Sequence, residues 1–222
     1  FCGGVLSAVY LDVLKDRLYC NDPADPARRA SQAVIYEVLR ALVIGVAPIL
    51  SFTAEEAWAA MPRRAGEQDS VFFADFPVAD PTLAVVPAGF VRLLEKRGEV
   101  LEQIEARRPK KKGEREPGQI GSSQEAVVTL TVPAEEAATY AARAAELAEL
   151  FIVSEVMVEL GSWAIAVNTA TTHRCARCWN HRESVGSHEA FPDLCGRCAA
   201  VVEANPDLLP VPATNANPDG AP

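Results

Sequence analysis

Apolar residues recur at helical spacing from the beginning of the chain. Residues 5–62 read as helical throughout. Ala30, Val34, Val38, Leu42 and Val46, widened by Ala33, Ile35 and Leu39, form a stripe that is expected to pack in a bundle. Pro48 removes a backbone donor and clashes with the preceding turn, so it ends or distorts that helix. Thr53-Ala-Glu-Glu56 has the form of a capping box, which would open a short helix running to Met61. Residues 63–86, rich in Pro, Asp and Gly around VFFADFP, read as a loop lying across the bundle.

Beyond this loop the periodicity changes. A long helix is predicted from near Pro87 through VRLLEKRGEVLEQIEARR, with Gly98 inside it and Pro109 as its stop. EAVVTLTV (125–132) has the β-branched enrichment of a strand, 133–150 is an Ala-rich helix, and FIVSEVMVEL and SWAIAVN read as two further strands. From about Glu203 the pattern stops, and a disordered tail is expected. The fold class is therefore mainly α: a helical bundle, a small α+β unit, then a C-terminal zinc ribbon or finger. The expected divisions are 1–86, 87–170, 171–202 and 203–222. The chain opens at Phe1 inside an apolar helical pattern with no capping residue before it, which reads as a truncated N-terminal part.

Of the 222 residues, 49% are apolar and 23% charged, enough to bury one large core or several small ones. No run of 18 or more apolar residues and no secretory leader is visible, so a cytoplasmic protein with no membrane partner is expected. The net charge of −9 argues against a surface that grips nucleic acid everywhere, because neutralising phosphate needs clustered cations. Local basic spots remain: RRPKKK ends in Lys110, Lys111 and Lys112, and Arg174, Arg177, Arg182 and Arg197 surround the cysteines. The lysines read either as a phosphate contact or as a solvated loop.

The most specific signal is Cys175-Ala-Arg-Cys178, sixteen intervening residues, then Cys195-Gly-Arg-Cys198. Two residues between thiols let a tight turn aim both sulfurs at one metal, and the connection brings the second pair opposite. One structural Zn²⁺ held by Cys175, Cys178, Cys195 and Cys198 is expected, closed to substrate because four thiolates complete its shell. Disulfides, a redox Cys-x-x-Cys pair and an iron–sulfur cluster are the competing readings. Gly196 is expected to take a positive φ inside the second knuckle. His173, His181 and His188 lie nearby in sequence but are surplus to a four-cysteine shell. Trp179 either packs the small core of the module or offers a flat face to a nucleobase, and Arg177 and Arg197, at matching knuckle positions, can reach phosphate or a base edge. No phosphate-cradling loop, H-E-x-x-H or nucleophile elbow occurs, so no catalytic residue is assigned.

The run YLDVLKDRLYCNDPADPARRASQAVIYEVLRALVIGVAPILSFTAEEAW resembles the anticodon-binding helical domain of bacterial isoleucyl-tRNA synthetases, and VFFADFP resembles the piece that follows it. LLEKRGEVLEQIEARR, IGSSQEAVVTL, CARCWNH and LCGRCAAVV resemble the rest of that family's C-terminal region in the same order. The resemblance implies a monomeric class I synthetase that attaches isoleucine to tRNA(Ile). ATP and Mg²⁺ would then belong to a catalytic domain absent from this sequence, and the four zinc ligands carry over directly. It also implies that the helical domain and the zinc module embrace the anticodon arm, with Trp179 and Arg177 as contacts. The alternatives are a stand-alone zinc-finger protein that binds tRNA, a finger of the formamidopyrimidine-DNA-glycosylase type, and a scaffold with no nucleic-acid partner.

Overall fold

The computed structural model describes residues 1–86, 89–111 and 114–208, leaving aside the side chain of Ala84. Pro87, Lys112 and the part of the expected tail from 209 to 222 lie outside the described residues. The chain divides into two compact units: Pro23–Val91, and Phe1–Asp22 together with the chain from Arg92 onward. The division drawn from sequence at residue 86 kept the first twenty-two residues with the bundle; they are compact with the later part of the chain instead.

The unit Pro23–Val91 is built on two helices. Asp25 caps the first, α2 (Pro26–Val46), by accepting from the Arg28 N–H at 2.9 Å, with Pro26 in the first turn where its missing donor costs nothing. The helix ends two residues before Pro48, as its lost donor requires, and α3 (Ser51–Ala60) follows. The capping box does not form. α3 begins two residues ahead of Thr53 with Leu50 as an uncapped N-cap, so Thr53 and Glu56 both lie inside the helix; the neighbouring Glu55 accepts from the Ser70 hydroxyl and the Val71 N–H at 3.0 Å. The core gathers Val43, Ile44, Ala47, Ala54, Trp58, Met61 and Val71. The apolar residues that α2 buries fully, Val43 and Ile44, lie in its last two turns, while Val34 and Leu39 of the expected stripe remain exposed. Among the described residues of this unit, α3 and the turn Val71–Phe73 pack on α2. The 63–76 segment does lie over the pair: Trp58 donates from its indole nitrogen to Gln68 O at 3.1 Å, and Tyr36 to Pro62 O at 2.8 Å.

The second unit begins with a wide π-helical stretch, Cys2–Leu11, and a short helix, α1 (Lys15–Cys20). Its main body is a three-stranded sheet, β1 (Ala126–Val132), β2 (Glu155–Leu160) and β3 (Ala164–Thr169), with β1 in the centre, parallel to β2 and antiparallel to β3. The parallel pair needs a crossover, supplied by α5 (Ala134–Ala142) and α6 (Ala144–Phe151), which break at Arg143. α4 (Phe90–Ala106) adds Val100 and Ile104 to the core around Val128, Leu130, Val132, Leu147 and Phe151. FIVS, predicted as the start of a strand, is instead the end of α6 and its left-handed cap at Ile152 (φ 59°). Burial decides this, because Phe151 and Val153 complete the core from the helix side of the sheet. At the other end α7 (Gly196–Ala204) and a turn, Pro206–Leu208, carry regular structure past Glu203, where disorder was expected.

Candidate metal centre

The first knuckle is a hairpin closed on itself. Arg174 and His181 form an antiparallel bridge, the Cys175 N–H donates to Asn180 O and the Trp179 N–H to Cys175 O, both at 2.9 Å. The chain can turn this tightly only with a left-handed residue at its corner, and that residue is Trp179 (φ 66°). Gly196, for which a positive φ was expected, is a right-handed first-turn residue of α7; its N–H donates to Ser184 Oγ at 3.1 Å. The second knuckle is the start of α7 itself, with Cys195 as N-cap and Cys198 one turn on. A backbone bond from Ala176 N–H to Asp193 O, 2.9 Å, sets the knuckles face to face.

This juxtaposition brings the ligand atoms of Cys175, Cys178, Cys195 and Cys198 within 4.8 Å of one another, all four buried. Cys178 and Cys195 stand 3.8 Å apart, which is about the edge of a tetrahedron whose centre lies roughly 2.3 Å from each sulfur, as a zinc–thiolate site requires. All six cysteines are free thiols, so no disulfide forms. The quartet includes no histidine: His181 bonds Thr172 O through Nδ1 at 2.6 Å, and His188 stacks on Phe191. The Cys195 N–H donates to Cys175 Sγ at 3.3 Å, as backbone does toward thiolate. Hydrogen bonds from Cys178, Cys195 and Cys198 draw the Cys175 thiol far below the usual thiol range, and the same bonds to Cys175 push the other three up. Four thiolates this close repel one another; a divalent cation is what allows all four to ionise together.

The two knuckle arginines are engaged inside the chain. Arg177 donates from Nη1 to Cys20 O at 2.5 Å and from Nη2 to Tyr19 O at 3.1 Å, and its Nη1 lies 3.8 Å from Cys198 Sγ. Arg197 forks onto Asp16 with two bonds of 2.7 Å and reaches Asn21 Oδ1 at 2.9 Å, and the Asp16 bonds raise its pKa further. Cys20, far from the knuckles along the chain, is buried against the quartet, and a hydrogen bond with Cys198 lowers the pKa of its thiol. No sequence spacing signals this, since 157 residues separate Cys20 from Arg177. Trp179 stays 56% exposed, so the small core does not use it. Lys110 and Lys111 stand exposed in the loop after α4, Lys111 3.8 Å from Glu114; Lys112 is outside the described residues.

Comparison with known families finds matches for both the helical part and the four-cysteine site. Residues 1–129 match the family model described as the anticodon-binding domain of tRNA ligase, and the chain belongs to that family. Residues 173–201 match a zinc finger described as found in FPG and IleRS. Among curated relatives, the isoleucine–tRNA ligase of Gluconobacter oxydans is 42% identical over 211 residues, covering 92% of this chain and 21% of its own length. Those of Desulfotalea psychrophila and Xylella fastidiosa (strain M12) are 40% and 35% identical, each over 91% of the chain and 23% and 21% of their own lengths. The chain thus spans about a fifth of the relatives it matches.

Proposed function

We propose that the chain is the part of an isoleucine–tRNA ligase that binds the anticodon arm of tRNA(Ile). The observation that carries this reading is the order of two matches along one chain: an anticodon-binding domain over 1–129, then a zinc finger over 173–201 of the kind named for isoleucyl enzymes. Activation of isoleucine with ATP and Mg²⁺ is, on this reading, the work of a nucleotide-binding domain; the chain contributes RNA binding as a cytoplasmic monomer. One Zn²⁺ sits among Cys175, Cys178, Cys195 and Cys198 and acts structurally, since four thiolates leave no position for water. No described helix is long and apolar enough to cross a membrane.

Trp179 is the side chain best suited to meet RNA. A left-handed backbone costs a non-glycine residue about 1–2 kcal/mol, and here it holds a large ring half in solvent at the tip of the first knuckle. Stacking on an unpaired base offsets that cost with about 1–3 kcal/mol. Lys110 and Lys111 supply phosphate-facing charge, while Arg177 and Arg197 support the surface from within. The test is a titration of the zinc-loaded chain with isoleucine tRNA, a non-cognate tRNA and duplex DNA at several salt concentrations. Preference for the isoleucine tRNA, weakening linearly in log salt, supports the proposal. Tighter binding to duplex DNA sinks it in favour of a glycosylase-type finger.

A further inference from the structure

α1 continues the helical path of Cys2–Leu11 through a right-handed Leu14 and ends at Cys20, so its last turn leaves carbonyls with no partner inside the helix. Arg177, inside the first knuckle, satisfies the carbonyls of Tyr19 and Cys20, two of the terminal acceptors that a helix leaves unpaired. Arg197, at the same place in the second knuckle, forks onto Asp16 in the first turn and onto Asn21 just past the end. Between them the Cys20 side chain is buried against the sulfur quartet, and Asn205 beyond α7 donates to Asp22 at 2.8 Å. On its other side Arg17 pairs with Glu149 of α6 at 2.5 Å. The charges balance as well. Four thiolates around a divalent cation leave a double negative charge, and the knuckles carry two guanidiniums beside it.

We propose that Arg177 and Arg197 are positioning residues that make the metal module a clasp on α1, so that residues 15–22 are ordered only while the sulfur quartet is closed around its cation. This rests on the metal reading given above and goes beyond it: the metal's structural effect extends to a segment more than 150 residues earlier in the chain. α1 belongs to the anticodon-binding match, so the clasp joins the two matched regions mechanically.

The experiment is amide hydrogen exchange with peptide resolution on the whole chain loaded with Co²⁺, whose thiolate absorption reports the quartet directly, compared with the chelated chain and with Arg197→Lys and Arg177→Lys. Lysine keeps the charge but cannot form the fork. Chelation is expected to speed exchange over 15–22 at least about tenfold while α2 and α3 are unmoved. Each lysine variant is expected to speed exchange over 15–22 about threefold to tenfold with cobalt stoichiometry and absorption intact. Unchanged exchange over 15–22 after the cobalt bands vanish overturns the clasp. So does a lysine variant that disturbs the cobalt bands while leaving 15–22 protected. Absence of tetrathiolate absorption in the unaltered chain overturns the metal reading itself, and the clasp with it.

Discussion

Around Trp58 six other buried side chains converge, and the indole is held by a carbonyl on one edge with the guanidiniums of Arg40 and Arg63 each 5.6 Å from its ring centre. Around Cys195 the apolar side chains packed against the sulfurs, among the described residues, are Val185 and Leu194, both partly buried. The first region can be held by removing hydrocarbon from water, each large side chain contributing about 1.5–3 kcal/mol. The second cannot, because it has almost no hydrocarbon to remove. A module of this size needs a metal in place of a core, and binding of that metal is its folding free energy. The two regions teach that similar helical lengths can rest on unrelated energetics, which makes them separable by experiment.

The largest separation is expected from removing the metal or one ligand. Chelation, or Cys178→Ser, forfeits a binding free energy of about 10–16 kcal/mol and should unfold the knuckles while the Trp58 core melts as before. Circular dichroism in the aromatic region, with exchange over 173–204, reads both at once. The converse change, Trp58→Ala, is expected to cost the α2–α3 pair about 3–5 kcal/mol, seen as a lower denaturant midpoint, with zinc content unchanged. If Trp58→Ala also expelled zinc, the two regions would not be independent.

A smaller effect separates stability from function within the metal module. Trp179→Gly removes the cost of a left-handed tryptophan, so the module is expected to gain up to about 1 kcal/mol. Loss of the stacking ring should at the same time weaken RNA binding by about 1–3 kcal/mol. A variant that lost both would show that Trp179 packs rather than binds.

The smallest effect is on pH. Burial raises the pKa of Glu125, but the Gly121 N–H and the Arg115 guanidinium outweigh it and bring the value below the ordinary carboxylate range. A folded-state pKa depressed in this way adds stability above the unfolded value, and that contribution is lost as pH falls through the folded one. Denaturant midpoints should therefore drop on acidification through the carboxylate range, less steeply in Glu125→Gln. Equal slopes in the two proteins would remove Glu125 from the account.

What could be read from sequence was local. The thiol quartet was legible because each knuckle spans four residues and the geometry of a tight turn fixes where both sulfurs point. β1 was legible as a β-branched run, and the end of α2 from Pro48. The buried face of α2 was not, because its stripe extends beyond the last two turns, where Val43 and Ile44 are buried, to Val34 and Leu39, which are exposed. The capping box failed because the helix starts at Ser51, two residues ahead of Thr53, which leaves Thr53 and Glu56 inside it rather than at its N-cap and third positions. The roles of Arg177, Arg197 and Cys20 were invisible, because a guanidinium beside a knuckle looks the same whether it waits for phosphate or caps a helix that folding brings to it.

The most direct measurement is the affinity of the chain for isoleucine tRNA before and after chelation, at one salt concentration. The expected result is tight binding with zinc and a loss of at least about tenfold without it, as removal of a stacking contact demands. Undiminished binding by the chelated chain would contradict the central claim, because the RNA surface would then owe nothing to the four cysteines.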